Sequence, residues 1–150
     1  MQTHGRAPHR LRPPGPFEIL QNPKEIAFGY TWNRMVRFVY LTGKSPNVVG
    51  PSYYGTATGA WQGDKLVLDT QGLHDTVLLD ASGLPHTEDL KITETFQLAD
   101  NGQKLLETLR FDDPKTFTAP WEAAVAYRKL PTGTHIQEDV CEERLHITSF

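Results

Sequence analysis

The chain has 150 residues, a formal net charge of −3, and apolar and charged fractions of 38% and 22%, which suit one soluble-type globular unit with a real core. No basic run points to nucleic acid or an anionic membrane surface, and no apolar segment approaches the ~20 residues of a membrane helix. The single cysteine, Cys141, excludes an internal disulfide and any multi-cysteine metal site.

Residues 1–15 are rich in Arg, His, Pro and Gly and lack the apolar segment of a signal peptide. They read as a flexible or extended arm before one β domain over 16–150. Phe17–Gln21 is a short apolar run stopped by Asn22-Pro23. Glu25–Trp32 and Met35–Leu41 read as a hairpin turning at Asn33-Arg34, with Phe28 opposite Val39 and Tyr30 opposite Arg37. If the Ile26/Phe28/Tyr30/Trp32 face is the inner one, Arg37 points inward and can neutralise an acid. Otherwise it lies along the rim with its head in water.

Thr42–Pro51 is a loop by composition. Tyr53–Gln62 and Lys65–Gly72 form the next hairpin around Gly63-Asp64, placing Trp61 opposite Leu66, Ala57 opposite Thr70 and Thr58 opposite Asp69. Gly55 and Gly59 inside a strand mark a sharp barrel corner or a close approach by a ligand, and the corner is the preferred reading. Leu73–Asp89 is the one long connection and is expected to form a lid or rim loop. It carries His74, Asp75, Asp80, His86, Glu88 and Asp89. His86 would sit at the rim as a base near neutral pH. His74, His86 and Glu88 could meet at a metal, but their spacing fits no specific pattern, and no metal or cofactor is expected.

The most informative stretch is Leu90–Asp112. Asn101-Gly102 suits a tight hairpin turn, because both positions need positive φ. That turn sets Leu98 opposite Leu105, Phe96 opposite Glu107, Glu94 opposite Leu109 and Ile92 opposite Phe111. Side chains alternate along a strand, so these share one face, apolar except for Glu94 and Glu107. The two lie diagonally, roughly 5–8 Å apart by usual sheet spacing. Acids on a buried face need a partner, a proton or a job. Two so close in a low dielectric split their pKa values, which is what acid/base chemistry at neutral pH uses.

Asp112-Asp113-Pro114-Lys115 is a turn. Trp121–Leu130 and His135–Glu143 form the last hairpin, with Tyr127 opposite Glu138, a third inward acid. Cys141 alternates with Asp139 and reads as an inert buried thiol.

Several motifs then fall into a familiar order. Trp61-Gln-Gly-Asp64-Lys-Leu-Val-Leu-Asp69-Thr-Gln-Gly72, Gly83-Leu-Pro-His86-Thr-Glu88, Asp112-Asp-Pro-Lys115 through Pro120-Trp121, and Val140-Cys141-Glu-Glu143 resemble a group of small, mostly exported and mostly uncharacterised bacterial β proteins. That group carries W-x-G-D-x-L-V-x-D-T-x-G-F, G-H-P-H-[ST]-E, D-D-P-K-x-[YF]-T-x-P-W and Y-V-C-x-E. Pro16–Pro23 looks like its opening motif. Leu73 stands where the group has Phe, and Leu84 where it has the first His of G-H-P-H. The resemblance implies a compact β domain and supplies no activity.

The expected fold is all-β, an antiparallel up-and-down barrel of eight or nine strands, calycin-like, with a β-sandwich as the alternative. A polar-lined pocket is expected under the Leu73–Asp89 loop. The leading function is a cofactor-free lyase, isomerase or cyclase acting on a small, largely apolar or aromatic molecule. Glu94, Glu107, Glu138 and His86 would carry the chemistry. Arg37, Tyr30, Asp69 and Tyr127 would position polar atoms, with Trp32, Trp61 and Phe96 as apolar walls. The rival is a small-molecule carrier without catalysis. A small-molecule ligand is the expected partner, and a homodimer is an open option.

Overall fold

The computed structural model describes residues 15–31, 34–44, 50–80 and 83–136. The eight strands are β1 (Phe17–Gln21), β2 (Glu25–Tyr30), β3 (Val36–Tyr40), β4 (Thr56–Gln62), β5 (Lys65–Gln71), β6 (Lys91–Ala99), β7 (Lys104–Asp112) and β8 (Trp121–Arg128). They form one sheet in sequence order, curled into a half-barrel. Side chains of the first and last strands meet across the curl, where the Phe17 and Tyr127 rings pack edge to face at 4.9 Å. Among the described residues there is no helix long and apolar enough to cross a membrane.

The β6–β7 and β4–β5 ladders have the registers their turns imply, with Phe96 opposite Glu107 and Trp61 opposite Leu66. Asp100, Asn101 and Gly102 all take positive φ, so the turn uses one more left-handed residue than the minimal hairpin. The β2–β3 register is two residues away from expectation: Phe28 faces Arg37 and Ile26 faces Val39. The reason is a longer turn, closed by the Tyr30 N–H donating to Met35 O at 2.9 Å, with Arg34 at φ +50°. A slip of two preserves which face each side chain occupies.

The one departure from an antiparallel meander is the β3–β4 junction. It is parallel and only two pairs long, Val39 with Ala57 and Tyr40 with Thr58. A parallel neighbour needs a crossover of about a dozen residues, and the Leu41–Gly55 connection supplies it. Gly59 serves close packing here, not a ligand. A Cβ at that position would lie 2.9 Å from Val39 Cγ1 and 2.7 Å from Leu68 Cδ2. β4 begins at Thr56, three residues later than expected, because Gly55 turns the chain at φ +65°.

The inner face carries two apolar layers. At the β6–β7 turn end lie Ile26, Phe28, Tyr30, Val39, Leu66, Leu68 and Phe96. At the other end, Leu73, Leu79 and Leu90 of the long connection pack on Ile92, Leu109, Phe111 and Ala123. This connection is therefore an apolar plug, which replaces the expected polar-lined pocket beneath it. Each such side chain fully buried contributes roughly 1.5–3 kcal/mol.

The plug is pinned by Asp113. Its buried carboxylate accepts from Thr87 N (2.6 Å), Thr87 Oγ1 (3.0 Å), Lys115 N (3.2 Å) and Thr116 Oγ1 (2.9 Å). Burial works against its charge, but these donors prevail and hold the carboxyl below its ordinary range.

Candidate functional site

A polar belt separates the two apolar layers. Along β6, Glu94 falls between Ile92 of one layer and Phe96 of the other. Along β7, Glu107 falls between Leu105 and Leu109. Both acids face inward, at 0% and 4% exposure, because strand alternation leaves them no other direction. Arg37 on β3 and Thr70 on β5 reach the same level, 5% and 0% exposed.

Arg37 clamps Glu94. Its Nη1 donates to Glu94 Oε1 at 2.8 Å and its Nη2 donates to Oε2. Nη2 also donates to Thr70 Oγ1 at 2.8 Å, and that hydroxyl passes its own hydrogen to Glu94 Oε2 at 3.3 Å. This fork geometry is the strong form of a charge-assisted pair. Burial opposes the guanidinium's charge, yet the Glu94 carboxylate outweighs it and drives the Arg37 pKa further up.

Glu107 has no such cation. Burial, reinforced by the charge of Glu94 and by a hydrogen bond to it, pushes its carboxyl from 4.5 up to about 8; the Tyr127 hydrogen bond and the more distant Arg37 only moderate this. At neutral pH Glu107 is thus mostly a neutral acid. Tyr127 Oη donates to Glu107 Oε2 at 2.5 Å. Tyr30 closes the group from β2: burial raises its phenol to about 12 against the opposing pull of nearby Arg37.

The belt therefore unites Glu94, Glu107, Arg37, Tyr30 and Tyr127 of the expected set, with Phe96 as an apolar wall. It adds Thr70, which sequence reasoning passed over. The only signal for Thr70 was its inward parity with Leu66 and Leu68, and a threonine in a strand draws no attention.

Three expected members lie elsewhere. Asp69 is on the outer face, accepting from Thr93 Oγ1 at 2.9 Å. Trp61, 51% exposed, sits at the strand end beyond the packed interior. His86 is buried in the plug and not at the rim. Its Nδ1–H donates to Thr87 O at 2.8 Å, and its Nε2 is a buried atom without a partner among the described residues. Trp32, Glu138 and Cys141 lie outside the described residues, as do residues 1–14 and the expected last strand from Gln137 on. The histidine–carboxylate group that gathers in the long connection is His74, Asp75 and Glu88, with ligand atoms within 4.8 Å of one another, in place of His74 with His86.

At the β6–β7 turn end, on the side away from the plug, a cleft of about 850 Å³ opens against the belt. Phe17, Leu98, Leu105 and Leu130 give it an apolar surface, and half-buried Tyr127 belongs to its wall. Tyr127 is thus the one belt residue that also faces the cleft. That volume lies within the usual range of small-molecule sites.

Compared with known proteins, the chain matches no family model, no curated protein and no solved structure. Its functional reading rests on this geometry.

Proposed function

We propose that the protein is a cofactor-free acid/base catalyst of the lyase, isomerase or cyclase type, acting on a small, largely apolar molecule held in the cleft against Tyr127. The observation that carries this reading is that Tyr127 lines the cleft while its hydroxyl lies 2.5 Å from Glu107 Oε2. When the Tyr127 hydrogen turns from Glu107 Oε2 to a substrate oxygen, the neutral Glu107 carboxyl can donate its own proton to Tyr127 Oη, so the tyrosine delivers a hydrogen bond, or a proton, and is refilled from behind. Glu107 gives up its proton in that step and becomes a carboxylate. It takes a proton back through Tyr127 when the rearranged substrate loses one, so no co-reactant is consumed. Glu94, locked by Arg37, is the fixed negative charge that keeps Glu107 protonated until substrate arrives. Glu94 is therefore not the mobile base.

The test is proton exchange. A panel of small enolisable and α,β-unsaturated ketones is incubated with the full chain in D₂O and followed by NMR. Deuterium should enter at least one of them, and Tyr127→Phe should slow entry by on the order of 10²–10⁴-fold while leaving ligand-induced shifts in place. Binding without exchange in any member would leave a carrier barrel.

A further inference from the structure

The cleft carries a charge pattern opposite to that of the whole chain. The protein has a net charge of −3, yet the cleft is bordered by Lys104, Arg128 and Lys129 against a single acid, Glu18. Lys104 Nζ is engaged with Asp100 at 2.6 Å. The side chains of Arg128 and Lys129 have no hydrogen-bond or ion-pair partner among the described residues. The Lys129 backbone is anchored, its N–H donating to Gln103 O at 2.9 Å, so both cations are carried on a segment tied to the β6–β7 turn. The opposite wall is the ring of Phe17, itself packed on Tyr127 and Tyr30.

We propose that the cleft takes an amphipathic carboxylate, a small acid whose apolar body lies along Phe17, Leu105 and Leu130 and whose carboxylate is held by Arg128 and Lys129. The geometry orders the two ends of such a ligand. Its anionic head stays at the basic rim, and its body reaches inward to the Tyr127 hydroxyl, away from the head. Reversing it would bury the carboxylate beside Tyr127 with no cation of its own, since Arg37 is committed to Glu94, and would leave the apolar body at the basic rim. This deepens the functional reading above and rests on it for what happens at Tyr127.

The probes are decanoate and its neutral counterpart decan-1-ol, titrated below micelle formation into the isotopically labelled full chain at low salt, with backbone amide shifts as readout. Decanoate should bind about tenfold or more tightly than decan-1-ol, as one charge-assisted contact allows, and shift Phe17, Leu105, Tyr127 and Leu130. The double variant R128Q/K129Q should weaken decanoate to the level of the alcohol while leaving the alcohol unchanged. Equal affinities in the wild type, an unaffected double variant, shifts mapping elsewhere, or no binding of either probe would each overturn the proposal. The two readings separate cleanly. Preference for decanoate without deuterium exchange in any ketone removes catalysis alone. Exchange on neutral ketones without that preference removes the carboxylate alone.

Discussion

Glu94 and Glu107 face inward diagonally across the β6–β7 ladder, close enough for the charge of the first to raise the carboxyl of the second, and Arg37 pairs only with Glu94. The pair is therefore asymmetric by construction: one carboxylate is ionised and fixed, the other holds a proton. Two consequences of this asymmetry can be measured.

Removing the cation should be severe. Arg37→Gln leaves the Glu94 carboxyl fully buried without its fork of donors, a loss of about 3–5 kcal/mol. Urea denaturation should show a lower midpoint at unchanged slope. The double variant R37M/E94L should recover most of the loss, because it removes the charge together with its partner. A double variant as unstable as the single one would show that Arg37 acts through packing alone.

Stability should fall as pH rises through the neutral range. The Glu107 carboxyl is raised from 4.5 to about 8 in the folded state, so between those values the folded chain binds more protons than the unfolded one. Its contribution is complete below the unfolded value, declines as pH climbs, and levels off above about 8, a change on the order of a few kcal/mol. Glu107→Gln keeps an acceptor for Tyr127 and a donor for Glu94 but cannot titrate. Its stability should be flat over the same window and exceed that of the wild type above about pH 8. Parallel curves for the two proteins would place Glu107 in water.

Asp113 should behave in the opposite sense. Its carboxyl is held below the ordinary 3.8 by the Thr87, Thr116 and Lys115 donors. The stability it contributes is present above that value and lost as pH falls through the depressed one. Asp113→Ala strands several donors and should cost about 1–3 kcal/mol. Amide hydrogen exchange should accelerate at Thr87 and Leu90 first, since these sit on the plug that Asp113 pins. Acceleration spread evenly over the sheet would show no local role.

Two glycines should rank by what surrounds them. Gly59→Ala pushes a methyl into Val39 and Leu68, both fully buried, and should cost about 1–3 kcal/mol by overpacking. Gly55→Ala should cost more, because φ is +65° and the new carbon would lie 2.6 Å from the Gln71 carbonyl oxygen, which cannot turn aside. Thermal unfolding of the two variants gives the order directly.

Much of this architecture is legible in the residues. Asn101-Gly102 sets the β6–β7 register, and from it strand parity puts Glu94 and Glu107 on one inward face. Which way Arg37 points is undecided locally, since both faces of β2 and β3 are apolar. Its direction is settled by the acid waiting on β6, 57 positions away in sequence. The parallel β3–β4 contact is similarly a long-range event with no local mark. Asp69 fails as a site residue for a simple reason. It alternates with Leu68 and Thr70, so when those face inward it must face out. The function of Asp113 is hidden because four donors converge on it from two segments 26 residues apart, while Asp112-Asp113-Pro114-Lys115 reads only as a turn.

The seam between β3 and β4 gives the buried ion pair a mechanical meaning. Strands 1–3 and 4–8 are each zipped by long ladders, but only two residue pairs join the two groups. Inside, beside the apolar layer to which both groups contribute, they are bridged by the Arg37 guanidinium, anchored on β3 and fastened to Thr70 and Glu94 on β5 and β6. The curl of the sheet is thus held like a bow by its string. A polar tie across the packed interior reinforces the thin joint in the shell.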